Sequence, residues 1–172
     1  MTVEERNILK CDAQKNLNVN ELSLFNIFIA LASNKNFARI FLYRLKGHMY
    51  IWMLCRVLFG YNKNIEINVP NIGGEFLIHH NLGCVIRAKK IGNNCVVSQG
   101  VTIGEGGDQY SKDNNDIPTI GDNVLVATNA IVIGNITIGD NVVIGAGSVV
   151  TKSVPEGAIV VGNPGRIIKY KY

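Results

Sequence analysis

The chain has 172 residues, 47% apolar and 17% charged, which suits one domain with a short appendage and a composition that folds instead of staying disordered. Its formal net charge of +4 belongs to residues 1–60, with eight Lys/Arg against four Asp/Glu, because residues 61–172 hold nine of each. So thin a surplus speaks against nucleic-acid binding, and four cysteines without CxxC spacing speak against a zinc site or a disulfide framework.

The Met1 end shows no basic stretch leading into an apolar segment and a small-residue cleavage site, so cytoplasm is the expected compartment. From Glu21 to Leu45 there is no Pro or Gly. Apolar residues Leu22, Phe25, Phe28, Ile29 and Ala32, then Phe37, Ile40, Phe41 and Leu45, recur at three- and four-residue steps, predicting two helices broken near Ser33-Asn34. A second apolar run, Ile51 to Phe59, predicts another helix stopped by Gly60. Packing against the rest of the protein or a neighbouring subunit is the plain reading of these helices. Recruitment of the basic, apolar segment to a membrane surface is the sharper one.

Beyond residue 60 the period changes. Ile120, Val126, Val132, Ile138, Ile144 and Val150 stand at steps of six, and Val124, Ala130, Ile136, Val142 and Ser148, four positions after each, are small or apolar. Ile91, Val97 and Ile103 repeat the rule, and Ile72 and Ile78 precede them. A helix does not place its core every six residues, nor does an alternating strand. Hexapeptides of one short strand and one turn, three to a triangular coil, do, with coils stacked about 4.8 Å apart. The predicted fold is therefore mainly β: a triangular parallel β-helix of hexapeptide repeats over residues 61–172, behind a short α-helical N-terminal segment over residues 1–60.

Two departures break the register. The phase slips by one residue between Ile78 and Ile91, and the seventeen residues from Ile103 to Ile120 fit no whole number of hexapeptides. An inserted loop, 105–117, must leave the column there, and a C-terminal tail follows over residues 154–172. Residues that break the repeat are the candidates for chemistry. His79 and His80 stand where a turn normally carries Gly or Asn, and imidazole suits a general base near neutral pH. Taken alone, such a pair is more often a surface feature than a catalytic one. A metal site is the weaker reading, because neighbouring side chains on a strand point to opposite faces and no third ligand is suitably spaced.

Five segments in one register carry a resemblance: Ile78-His79-His80-Asn81-Leu82-Gly83, Ser98-Gln99-Gly100-Val101-Thr102-Ile103-Gly104, Pro118-Thr119-Ile120-Gly121, Ile144-Gly145-Ala146-Gly147-Ser148-Val149-Val150 and Val161-Gly162-Asn163-Pro164-Gly165-Arg166. Over residues 58 to 168 the chain resembles the serine acetyltransferase family of left-handed β-helix acyltransferases. It is most similar to the short members that O-acetylate sugars in capsular and exopolysaccharide synthesis, the colanic acid type, which share the Phe59-Gly60-Tyr61 approach to the first coil.

The resemblance implies acetyl transfer from acetyl-CoA to a hydroxyl, between neighbouring columns of a homotrimer or a dimer of trimers, without a metal. His80 matches the family's general base. Glu66 falls near the carboxylate that orients it, although the family has Asp there at a spacing one residue longer. Thr128, Ala146, Thr151 and Lys152 match positions that line the pantetheine arm, and Arg166 and Lys169 match those that meet the adenosine phosphates. His79, beside His80, and Asp116 are the acceptor-side candidates.

In serine acetyltransferases an Arg-His pair precedes the proline that Pro118 matches, and here Asp116-Ile117 stands there. That replacement and the short helical segment favour a saccharide hydroxyl in cell-surface polysaccharide synthesis as acceptor. Serine O-acetylation in cysteine synthesis is the alternative, and a non-catalytic β-helix scaffold is the alternative of another class.

Overall fold

In a computed structural model, residues 2–17, 23–59, 64–80, 82–107 and 116–171 are described. Leu22, the Gly60 stop, Asn81 and most of the insertion, 108–115, lie outside the described residues. Four helices, α1 (Val3–Leu17), α2 (Leu24–Ser33), α3 (Lys35–Arg44) and α4 (Met49–Phe59), precede the strands. The break expected near Ser33-Asn34 is a cap: the Asn34 side-chain oxygen accepts from the Asn36 and Phe37 amides at 3.1 and 3.0 Å, opening α3. Helix α1 escaped the periodicity argument because its pattern is polar nearly all round.

Beyond the helices the backbone winds as a triangular column, the parallel β-helix that the hexapeptide period predicts, with the left-handed winding that the resemblance implies. One face stacks β1 (Ile65–Asn68), β3 (Cys84–Arg87), β6 (Thr102–Gly104), β9 (Ile131–Ile133) and β12 (Val149–Val150). The second stacks β4 (Lys90–Ile91), β7 (Thr119–Ile120) and β10 (Thr137–Ile138), extended by bridges Ile72 to Ile91 and Ile138 to Val154. The third runs β2 (Leu77–Ile78), β5 (Val96–Val97), β8 (Leu125–Val126), β11 (Val143–Ile144), β13 (Ala158–Val161) and β14 (Arg166–Tyr170). Every pairing is parallel except β13 with β14.

The register puts like on like. Ile67, Ile86, Ile103, Val132 and Val150 form one buried column, and Ile78, Val97, Val126, Ile144 and Val160 another. The companion residues Val124, Ala130, Ile136, Val142 and Ser148 are buried beside them. Because Val154 bridges Ile138 and β13 pairs with β11, the winding continues through Val161, beyond the residue 154 at which the tail was expected to begin. Only β14 leaves it, folding back antiparallel.

One corner shows why glycine recurs after the aliphatic residue. Gly73, Gly92, Gly121 and Gly139 lie one above another there, and a Cβ on Gly121 would meet the backbone of Gly139 and Asp140 at 3.0 and 2.9 Å. The next residue ties the coils: the Asn93 amide donates to Asp122 Oδ1 and the Asp122 amide to Asp140 Oδ1, both at 2.7 Å. The Cys84 and Cys95 thiols are buried, donating to the Ser98 and Gly121 carbonyls, and burial pushes Cys95 up to about 11.

Helix α3 joins the two parts. Phe37 and Ala38 pack with Ala13 of α1 and Leu31 of α2, while Ile40 enters the core of the column, with Tyr43 packed against it. Tyr43 also donates to the Val69 carbonyl at 2.6 Å. Arg44 pairs with the fully buried Asp12 at 2.9 Å and donates to the Ile72 and Gly73 carbonyls of the first coil. Among the described residues no helix is long and apolar enough to cross a membrane.

Candidate active site

The one-residue phase slip resolves into two unequal changes. Eight residues separate Ile78 from Ile86, two more than a hexapeptide, and five separate Ile86 from Ile91, one fewer. The surplus lies at the corner between β2 and β3, which holds His79 and His80. The His79 amide still belongs to the sheet, donating to the Val97 carbonyl at 2.8 Å. His80 has φ +61°, a left-handed conformation uncommon for a side-chain-bearing residue, and both imidazoles are exposed with centroids 6.2 Å apart. The corner closes through Gly83, φ +62°, and through the Gly100 amide donating to the Leu82 carbonyl at 2.8 Å.

The same corner of the lower coils carries other candidates. Asn129, φ +57°, donates its amide to the Gln99 carbonyl at 3.0 Å, and Gly147, φ +66°, donates to the Thr128 carbonyl at 2.9 Å. Thr128 and Ala146 therefore share one edge of the prism with His80, two and three coils below it, about 10 and 14 Å at the interstrand spacing. Ala146 is exposed on that edge and Thr128 half-buried. Farther down the edge the Ser148 hydroxyl accepts from the Gly162 amide at 3.1 Å, anchoring the turn into β14, where Arg166 and Lys169 are exposed. Thr151 and Lys152 are exposed on the following corner, across β12.

Two candidates stand apart. Glu66 is exposed on β1, opposite Val85 of the strand that follows the histidine corner. Among the described residues no hydrogen bond or ion pair within one chain joins Glu66 to His80. Asp116 closes the neck of the insertion: its carboxylate accepts from the Gly106 and Asn135 amides at 2.9 and 3.0 Å. Ile117 beside it is buried. Facing the same neck, Arg87 pairs with Glu105 at 2.6 Å. No group of three His, Cys, Asp or Glu among the described residues could hold a metal ion. The spacing of the repeat gave no sign of Gly100 and Asn129 as corner residues, although Gly and Asn, the residues that adopt positive φ most readily, were the available signal.

Residues 117–152 match the bacterial transferase hexapeptide (six repeats) family, and with this fold the chain belongs to the hexapeptide-repeat transferases. It is 44% identical over 130 residues, 74% of the chain, to a serine acetyltransferase of Staphylococcus xylosus, and 49% identical over 106 residues, 60% of the chain, to one of Bacillus subtilis. The chain spans 58% and 48% of the lengths of those curated relatives. The crystal structure of Neisseria gonorrhoeae serine acetyltransferase in complex with serine superposes with a TM-score of 0.70 at 27% identity, over 96% of this chain and 69% of that one.

These likenesses overturn the saccharide acceptor expected from the sequence, because the relatives that share this much of the column are serine acetyltransferases. Both grounds for that expectation also have another physical account. Asp116 and Ile117 are spent on closing and burying the loop neck, so their replacement of Arg-His reflects how the neck is built. The helical segment is short, yet with 96% of the chain superposed on the Neisseria enzyme it falls within the shared architecture.

Proposed function

We propose that the chain is an acetyl-CoA-dependent serine O-acetyltransferase acting as a homotrimer in the cytoplasm, with His80 as general base. The observation that carries this reading is the exposed, left-handed His80 corner at the head of a prism edge that also presents Thr128 and Ala146, in a chain similar to serine acetyltransferases. A serine hydroxyl is almost wholly protonated at neutral pH. His80 Nε2 or Nδ1 takes its proton only as the oxygen attacks the thioester carbonyl, an assistance worth typically 10²–10⁴ in rate. The tetrahedral oxyanion collapses, the C–S bond breaks, and the imidazolium returns the proton to the departing CoA thiolate. O-acetylserine and CoA are the products.

Thr128 and Ala146, down the shared edge, and Thr151 and Lys152, on the next corner, would line the pantetheine arm. Arg166 and Lys169 on β14 would meet the phosphates, which cationic side chains suit. His79 would flank the acceptor, Glu66 would orient His80 in the assembled site, and Asp116 would hold the insertion beside it. The test is release of CoA thiol from acetyl-CoA on addition of L-serine, in the full chain and in His80→Ala. Serine-dependent release in the first and its loss in the second are expected. Absence of release above hydrolysis in the unaltered chain, or more than a few per cent of it surviving in the variant, overturns the proposal.

A further inference from the structure

Strand β2 is the open edge of its sheet. On its inner side the Leu77 and His79 amides donate to the Cys95 and Val97 carbonyls at 3.0 and 2.8 Å. Residues of a strand alternate, so the backbone groups of Phe76 and Ile78 point the other way, where no strand lies. Side chains from the helices take that place. Asp12 Oδ1 accepts from the Phe76 amide at 3.0 Å, Asn16 Nδ2 donates to the Phe76 carbonyl at 3.2 Å, and Asn36 Nδ2 donates to the Ile78 carbonyl at 3.1 Å. Three of the four outward groups of these two residues are thus met by α1 and α3, which imitate a missing neighbouring strand. The Ile78 carbonyl is two residues before His80.

We infer that Asn36 is a positioning residue for His80: its amide fixes the Ile78 carbonyl and thereby the direction in which the chain enters the left-handed histidine corner. Among the described residues, no other hydrogen bond on that outward side of β2 lies so near the imidazole. The side-chain oxygen of Asn36 is buried without a partner, so the donated bond sets the orientation of the amide. The same fact separates positioning from stability. An apolar residue of equal shape leaves the Ile78 carbonyl unmet but removes an unmet oxygen, and the two changes oppose each other. A small displacement of a catalytic group costs far more in rate than in folding.

This inference rests on His80 being the base, and its test is built to fail separately from that reading. In Asn36→Leu, kcat with L-serine should fall about tenfold to a hundredfold while KM for acetyl-CoA stays within about twofold and the melting temperature within a few degrees. Asn16→Leu, which releases Phe76 four residues before His80, should cost less rate at a similar change in melting temperature. Introduced into His80→Ala, Asn36→Leu should leave the residual rate unchanged, because it acts through the imidazole. Independently of any turnover, the His80 ring resonances in the NMR spectrum should move or broaden in Asn36→Leu more than those of His48. Unaltered His80 resonances, a rate loss that merely tracks the melting temperature across both Asn variants, or an undiminished effect in the His80→Ala background each overturn the inference. A silent unaltered enzyme with His80 resonances that still respond to Asn36→Leu would refute the serine reading alone.

Discussion

Replacing Arg44 by Met tests how the helices are attached to the column. Asp12 is 0% exposed, and its carboxylate is held by Arg44 at 2.9 Å and by the Phe76 amide at 3.0 Å. Removing one partner of a buried pair costs about 3–5 kcal/mol, because the other charge is left unmet in a poorly solvated place. The Ile72 and Gly73 carbonyls lose their donors too, while the Phe76 amide still serves Asp12, so a loss of about 4 kcal/mol at pH 7 is expected. The loss should depend on pH. Burial already raises the Asp12 carboxyl above its ordinary value, and Arg44 supplies the largest opposing pull, so without Arg44 the carboxyl rises further. A carboxyl raised in the folded state gives stability that is full below the unfolded value near 3.8 and is lost as pH climbs toward the folded one. The difference between the unaltered chain and Arg44→Met should therefore widen from pH 4.5 to pH 7, by up to about 1.4 kcal/mol per unit inside that window. Urea unfolding at one protein concentration across that range measures it. A loss under about 1 kcal/mol at pH 7, or one that stays constant with pH, would show that the pair is not what binds the helices.

Gly121→Ala should destabilise by about 3 kcal/mol, read as the shift in urea midpoint, because its methyl meets the Asp140 carboxylate and, behind it, backbone of the coil below at 2.9–3.0 Å, which cannot swing aside as a side chain can. A neutral substitution would mean that the coils can part. Arg166→Ala combined with Lys169→Ala should raise KM for acetyl-CoA about tenfold and leave KM for serine unchanged, since both cations sit on exposed β14, away from His80. Steady-state kinetics decide it, and an unchanged acetyl-CoA KM removes these residues from the phosphate site.

The column was legible because its cause is periodic: an aliphatic residue every six positions can be buried only by a three-sided coil, and the stacks through Val132 and Val126 follow. The break before α3 was legible because Asn34 is a cap, a short-range effect. Helix α1 was not, for what holds it is the Asp12–Arg44 ion pair and the bonds of Asp12 and Asn16 to the Phe76 backbone, partners spaced far along the chain. The histidine corner was found as an irregularity but only as a net slip of one, since an excess of two and a deficit of one nearly cancel. The acceptor was misjudged because a residue replaced in a loop neck says as much about closing that neck as about what lies beyond it.

The insertion leaves after Gly104 and returns at Asp116, and the coils on either side are stacked as though it were absent, Ile103 on Val132 and Ile91 on Ile120. Its length and composition are thereby uncoupled from the fold. Such a chain can exchange its loop as a cassette while the scaffold and the histidine corner are inherited unchanged.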